Sequence, residues 1–419
     1  MICIRVFCIR ENKISFNLVS MSGVRMEDGR TWSNSSKIFS RKIVLKNDGF
    51  ETELKVLNSF EVTSSNEKTA KGSVIPQLTN PAYVDLEPPE SANLHLVIFG
   101  GQAVDKYTTS DDLIIIKGPA DFSGAVDVTV WTSTFMTYSQ FKIPQGWSDG
   151  SNLVQRGQVP MSRSGATMGV LSNKSSHPGE SSHIILVGGF HLPKPGPLKK
   201  QVSDSNIFIL KYPDMVWKKL PFQEALNRNF LGIHTVGKIV YAIGGWKFEN
   251  NMATKLYPLT EMTRMVLSDD YEIDSIDKID LLPEPEINVP WVTGFSTFGH
   301  ENYLYIFSGN LIENYENSKE NLFESFPPKQ SRSVLPPKSN LMWKVNISGK
   351  TMTAIEAPEN SGGNCSSIQC VNSDEPTLVI TSDPNIWLYS PSVNYTPETC
   401  ELGEEYGACK TKLTSETES

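Results

Sequence analysis

Apolar residues in this chain gather in short runs that stop at glycine. Four such runs are Leu94–Gly101, Ile184–Gly189, Ile239–Gly245 and Tyr303–Gly309. The first three close on a glycine pair (Gly100-Gly101, Gly188-Gly189, Gly244-Gly245), the fourth on Gly309 alone, and a fifth run, Thr377–Ser382, carries no glycine. A helix needs about ten or more residues, so uninterrupted apolar runs of this length predict strands buried on both faces. A terminal glycine allows a sharp turn with φ > 0 where a Cβ would meet a neighbouring backbone.

The segments around each run recur in order. Pro160–Thr167 leads into a first strand, Ile184–Gly189 is the second, Asn206–Leu210 the third and Met215–Leu220 the fourth. The preceding unit reads Tyr83–Leu86, Leu94–Gly101, Asp112–Lys117 and Val126–Trp131. The following unit reads Arg228–Thr235, Ile239–Gly245, then strands around Lys255–Tyr257 and Arg264–Leu267. Next come Trp291–Thr297, Tyr303–Gly309, Leu341–Val345 and Met352–Ile355, and a last unit with Ser367–Val371, Leu378–Thr381 and Ile386–Tyr389. That last unit lacks a fourth strand, and Arg41–Leu45 and Glu53–Val56 are candidates to supply it, closing a ring without exposed edges.

An Arg-x-Gly or similar entry, a run closed by Gly-Gly, then an aromatic and a Trp resembles the Kelch repeat. Arg163, Gly188, Gly189 and Trp217 follow that order, as do Arg228, Gly244, Gly245 and Tyr257; Gly100, Gly101, Tyr107 and Trp131 form a looser copy. The resemblance spans roughly residues 80–390, with Gly309 and Thr381 marking degenerate copies. It implies an all-β, Kelch-type β-propeller with four antiparallel strands per blade, six blades being expected here and five the other count. The propeller is assigned to residues 1–395, and 396–419 form a polar, cysteine-containing tail.

Kelch propellers commonly bind proteins, so the resemblance implies a non-catalytic, monomeric interaction module. Loops between strands two and three open on the face of the inter-blade connections, and long loops on a rigid scaffold are where binding concentrates. Candidate contacts are Lys194, Lys199 and Lys200 in the loop 190–205, and Trp246 and Lys247 in the loop 246–254; the longest loop is 310–340. An aromatic such as Trp246 suits an anchor. Arg163 and Arg228 fit two roles, satisfying carbonyls at blade junctions or gripping carboxylates of an acidic peptide.

Composition narrows the alternatives. With a net charge of -9 the chain lacks the basic surface that nucleic-acid binding requires, and no run is long enough to span a membrane. Cys365, Cys370, Cys400 and Cys409 crowd the C-terminal part and read either as disulfides of an oxidising compartment or as free thiols. Sequons at Asn346 and Asn394 go with the first reading, so extracellular and cytoplasmic locations both stay open. The 6 histidines share no motif. No metal or cofactor site is expected, and the alternative function is a secreted propeller that binds glycans or, like galactose oxidase, oxidises them with copper. The turn Arg25–Trp32 copies only the end of the sialidase turn, so no enzyme is expected.

Overall fold

A computed structural model describes side chains for residues 78, 80–87, 91, 93–102, 109–119, 126, 131, 155–171, 182–191, 206–247, 255–284, 288–307 and 342–354, and outside these only the strands named below. The chain is an all-β propeller. Blade I consists of Ala82–Asp85, Asn93–Phe99, Leu113–Pro119 and Asp127–Trp131, each antiparallel to the next. Blade II has Ser164–Leu171, Ser182–His191, Ile207–Tyr212 and Val216–Leu220; blade III has Gly232–Val236, Ile239–Ile243, Glu261–Leu267 and Ile273–Asp280. Blade IV has Ser296–His300, Tyr303–Phe307, Leu341–Asn346 and Thr351–Glu356.

The core lies between blades rather than at a single centre, and the second strands explain why. In blade II, Ile184 and Leu186 pack with Val97, Phe99 and Leu113 of blade I, while Ile185 and Val187 pack with Leu231, Val240 and Ala242 of blade III. Side chains alternate across a strand, so a strand sandwiched between two blades must be apolar at every position. A third cluster joins Ile243 and Met262 of blade III to Leu304, Ile306 and Trp343 of blade IV. First strands of neighbouring blades approach closely where glycine leaves space: a Cβ on Gly169 would lie 2.7 Å from Thr235 Cγ2, and one on Gly232 2.2 Å from Thr297 Cγ2.

Three expectations are corrected. Among the described residues four complete blades stand, where six or five were expected. The larger count relied on N-terminal strands completing the last unit, but Arg41–Leu45 and Glu53–Val56 lie in the strands Thr31–Lys46 and Gly49–Leu57, which pair with each other. They belong to a separate four-stranded sheet with Ile2–Arg10 and Lys13–Glu27, and Ser366–Cys370, Leu378–Ser382 and Asn385–Tyr389 form a three-stranded sheet. Finally, blade III is displaced by one strand from its reading. Met252–Leu256 pairs with Trp246–Glu249 in a separate hairpin, and the third and fourth strands follow at Glu261–Leu267 and Ile273–Asp280. Pro258 cannot donate to a ladder, and the Pro258–Glu261 turn separates the aromatic Tyr257 from the strand it was read into.

Candidate functional site

Each blade repeats one device on the face where strand-two to strand-three loops emerge. The residues leaving strand two pair with the residues that enter strand one. Gln102 and Ala103 pair with Thr79 and Leu78, Ser164 with Phe190, Asn229 with Trp246, and Val292 and Thr293 with Leu311 and Asn310. Every strand-two to strand-three loop therefore starts from a fixed short ladder beside the inter-blade connection, which places these loops together on one face. Backbone bonds also run from blade to blade: Gly165 N–H donates to Asn80 C=O (2.9 Å), and Phe230 N–H to Gly165 C=O (2.8 Å).

The two arginines close a second link. The carbonyl of Arg163 accepts from Gly101 N–H of blade I at 2.7 Å, and that of Arg228 from Gly189 N–H of blade II at 3.0 Å. Each guanidinium turns into the arginine's own blade. Arg163 Nη1 donates to Gly188 C=O (3.0 Å) and Nε to Met161 C=O (3.2 Å). Arg228 donates from Nε to Ala225 C=O (2.7 Å), from Nη1 to Gly244 C=O (3.2 Å) and from Nη2 to Thr263 Oγ1 (2.7 Å). The guanidinium of Arg163 lies 4.9 Å from the Phe208 ring centre and that of Arg228 3.8 Å from the Tyr257 ring centre. Both side chains are buried. Burial pulls the Arg228 pKa below its ordinary value, and it pushes the Tyr257 hydroxyl up. Neither arginine stands at a channel mouth, so the structural role is the one their positions support.

The first glycine of the first two pairs serves this link, whereas Gly244 faces the Phe295 ring. Gly100 and Gly188 have φ of 70° and 71°, and a Cβ on them would lie 2.4 Å from Arg163 O and 2.2 Å from Arg228 O. Gly101, Gly189, Gly244 and Gly245 also turn in the positive-φ region. Trp217 is buried and donates its indole N–H to Gln155 Oε1 (2.7 Å); the amide of Gln155 reaches Asp111 C=O and Trp131 C=O (each 3.0 Å), tying blade II to blade I.

Trp246 is buried too: it is 9% exposed and stacks on Phe230 at 5.6 Å. Lys247 reaches Glu224 Oε1 at 2.6 Å. It lines a cleft of about 510 Å³ together with Arg228, Lys255, Tyr257, Glu261 and Lys278, among others. Lys247 and Lys255 stand opposite each other in the hairpin register. Such a like-charge pair costs stability unless each charge has compensation; here Glu224 holds one, and the other sits 4.5 Å from the Tyr257 ring centre. The contact between exposed Lys255 and buried Tyr257 escaped the sequence reading because both were assigned to a strand inside the blade. Lys194, Lys199, Lys200, Gly309, Cys365, Cys400 and Cys409 lie outside the described residues, and for Cys370 only the strand is described.

Three polar clusters carry distinct chemistry. His191 Nδ1 lies 2.8 Å from both the hydroxyl and the carbonyl of Ser162, and Thr109 Oγ1 is 2.9 Å from Ser162 Oγ. With Nδ1–H donating to the carbonyl, the ring is no base for Ser162, and the group acts as a polar clasp between blades I and II. Asp112 is held by Ser110, whose hydroxyl donates to Oδ2 at 2.9 Å. Burial pushes its pKa up to about 6, opposed by the Ser110 bond and helped by Asp111. On the opposite end of the blades, His95 Nε2 meets Tyr212 Oη at 2.7 Å; burial, then Lys117, lowers its pKa to about 4.

These two groups predict opposing pH effects. Asp112 keeps its proton longer when folded, so its contribution is complete below about pH 4 and is lost as pH rises through about 6. His95 contributes above about pH 6.5, and that contribution is lost as pH falls toward 4. Asp112→Asn should raise stability at pH 7.5 by about 2–3 kcal/mol, and urea melts of the variant should then decline more steeply than wild type from pH 6.5 to 4.

Among the described residues no group of three or more His, Cys, Asp or Glu side chains is placed to hold a metal, and no helix is long and apolar enough to cross a membrane. No protein-family model and no curated protein matches the chain. A solved structure does: a cryo-EM structure of RAG in complex with one melted RSS and one unmelted RSS contains a chain of similar shape. The TM-score is 0.50 and the identity 12%, over 91% of each chain. The likeness is one of fold. It supports the β-propeller and carries nothing about residues or ligands at that identity.

Proposed function

We propose that this chain is a non-catalytic interaction module of Kelch type that binds a protein partner through its strand-two to strand-three loops. The observation that carries the reading is the repeated short ladder leaving strand two, which anchors successive loops on one rigid face. Loops whose roots are fixed beside one another offer adjoining segments to one partner surface, and binding concentrates on loops carried by a rigid scaffold. Spending Arg163, Arg228 and the glycine pairs on the scaffold leaves recognition to the residues beyond them, with Lys247 and Lys255 at the accessible hairpin. The solved structure of similar shape belongs to a multi-component complex with RSS, which is compatible with a role inside an assembly.

Quantitative affinity capture with the full chain tests the reading. A variant with Lys247→Gln and Lys255→Gln should lose at least ten-fold of its specifically bound partner while keeping a cooperative melt, its midpoint lowered by no more than the Lys247–Glu224 ion pair contributes. Lys238→Glu, at the strand-one to strand-two turn on the opposite face, should retain it. Equal retention by all three proteins refutes binding through this face.

A further inference from the structure

Blades II and IV do not end at their fourth strands. Arg156–Gly157 adds in parallel to blade II, opposite Val216 and Trp217, and Leu282–Pro283 adds in parallel to blade IV, opposite Thr351 and Met352. The bonding is the same in both. Arg156 and Gln158 donate backbone N–H to Met215 and Trp217 C=O (2.9 and 3.0 Å), and Leu282 and Glu284 donate to Lys350 and Met352 C=O (2.9 and 2.8 Å). In each case the capping segment is the connection arriving from the preceding blade.

Blade III has no such cap among the described residues. Its incoming connection starts at Pro221, which has no N–H to donate, and folds into a 3-10 turn at Glu224–Leu226. The sheet therefore ends at Ile273–Asp280, 8 residues long against 5 in blade II and 6 in blade IV. An uncapped edge presents a row of backbone donors and acceptors that can template another strand. Space lies beside it: Ile276, Asp277 and Lys278 form one wall of the 510 Å³ cleft, with Glu224 and Lys255 among its other lining residues.

We propose that the outer edge of blade III docks an extended segment of a partner protein, which adds in parallel as a fifth strand and carries basic side chains. The mode is the one the chain uses on itself in blades II and IV, and strand addition to an open edge is an established form of peptide recognition. The basic character follows from Asp274, Asp277 and Asp280, exposed along a strand that carries one cation, Lys278. Asp277 also meets Arg264 at 3.2 Å and Asp280 meets Lys278 at 3.1 Å, so Asp274 is the carboxylate most available to a docked cation. The same carboxylates disfavour a second copy of this chain, because edge-to-edge pairing would set Asp strands against each other. The edge adjoins the loop face at the cleft, which Lys247 and Lys255 also line. Peptide protection reads the strand 273–280 and affinity capture reads the hairpin lysines, so either can fail without the other.

The test uses the full chain and two fluorescent synthetic peptides, one alternating lysine with valine and one alternating glutamate with valine. The lysine peptide should bind saturably and at least ten-fold more tightly than the glutamate peptide. Hydrogen exchange should slow at 273–280 on binding. A variant with Asp274→Lys and Asp277→Lys should reverse the preference while keeping a cooperative melt. Ile276→Pro should weaken both peptides; if that variant does not fold, the charge-reversal result stands alone. No saturable binding, equal affinity for both peptides, unchanged preference in the charge variant or protection elsewhere each overturns the proposal, as does concentration-dependent dimerisation protecting this strand.

Discussion

Arg228→Ala is expected to lower the free energy of unfolding by about 3–5 kcal/mol, read as a drop in urea midpoint with little change in slope. The guanidinium is 1% exposed and donates to Ala225 C=O, Gly244 C=O and Thr263 Oγ1. Truncation leaves these acceptors buried without that donor, removes the contact with the Tyr257 ring, and opens a void. Lysine will not rescue the loss, since a single ammonium cannot span three acceptors arranged for a planar fork. An exposed, partner-gripping arginine would behave differently: stability unchanged, binding lost. The stability measurement therefore separates the two roles that the sequence left open.

Gly188→Ala should cost a comparable amount, about 3–5 kcal/mol, for a different reason. A left-handed backbone costs a non-glycine residue about 1–2 kcal/mol. The added methyl would also lie 2.2 Å from Arg228 O and 2.7 Å from Leu231 Cδ2. The carbonyl cannot retreat without breaking its bond from Gly189 N–H, the link that joins blade II to blade III. Gly169→Ala is the control. Its nearest obstacle is the Thr235 methyl at 2.7 Å, a side-chain atom, and its φ is not in the left-handed region. That variant should lose about 1–2 kcal/mol, so a ranking with Gly169 costlier than Gly188 contradicts the inter-blade link.

Together these residues divide the molecule into a scaffold and two surfaces. Arginine carbonyls, glycine pairs and the Asn80–Gly165–Phe230 backbone bonds stitch neighbouring blades, and the loops and the outer edge of blade III, uncapped among the described residues, are the surfaces proposed for partners. The clefted edge and the loop face adjoin at Lys255, which contributes to the hairpin of one and the wall of the other.

The second strands were legible in the sequence because their constraints are local. A strand sealed between two blades must be apolar at consecutive positions, and a turn with φ > 0 beside a carbonyl selects glycine; both leave marks within eight residues, as at Leu94–Gly101. The same holds for the arginine entries, which precede the glycine pairs in the same order at Arg163 and Arg228, though at different spacings. Pairing partners leave no such mark. Whether Arg41–Leu45 joins the last unit or Gly49–Leu57 depends on which long-range ladder closes, and Tyr257 is an aromatic within strand three by pattern alone but a lid on Arg228 in space. Trp246 reads as an anchor from its position after Gly-Gly, and its burial against Phe230 comes from a residue sixteen positions earlier that another blade's Gly165 holds in place. Backbone demands are written residue by residue, whereas blade number, edges and exposure arise from contacts between distant segments, which alternation and spacing do not encode.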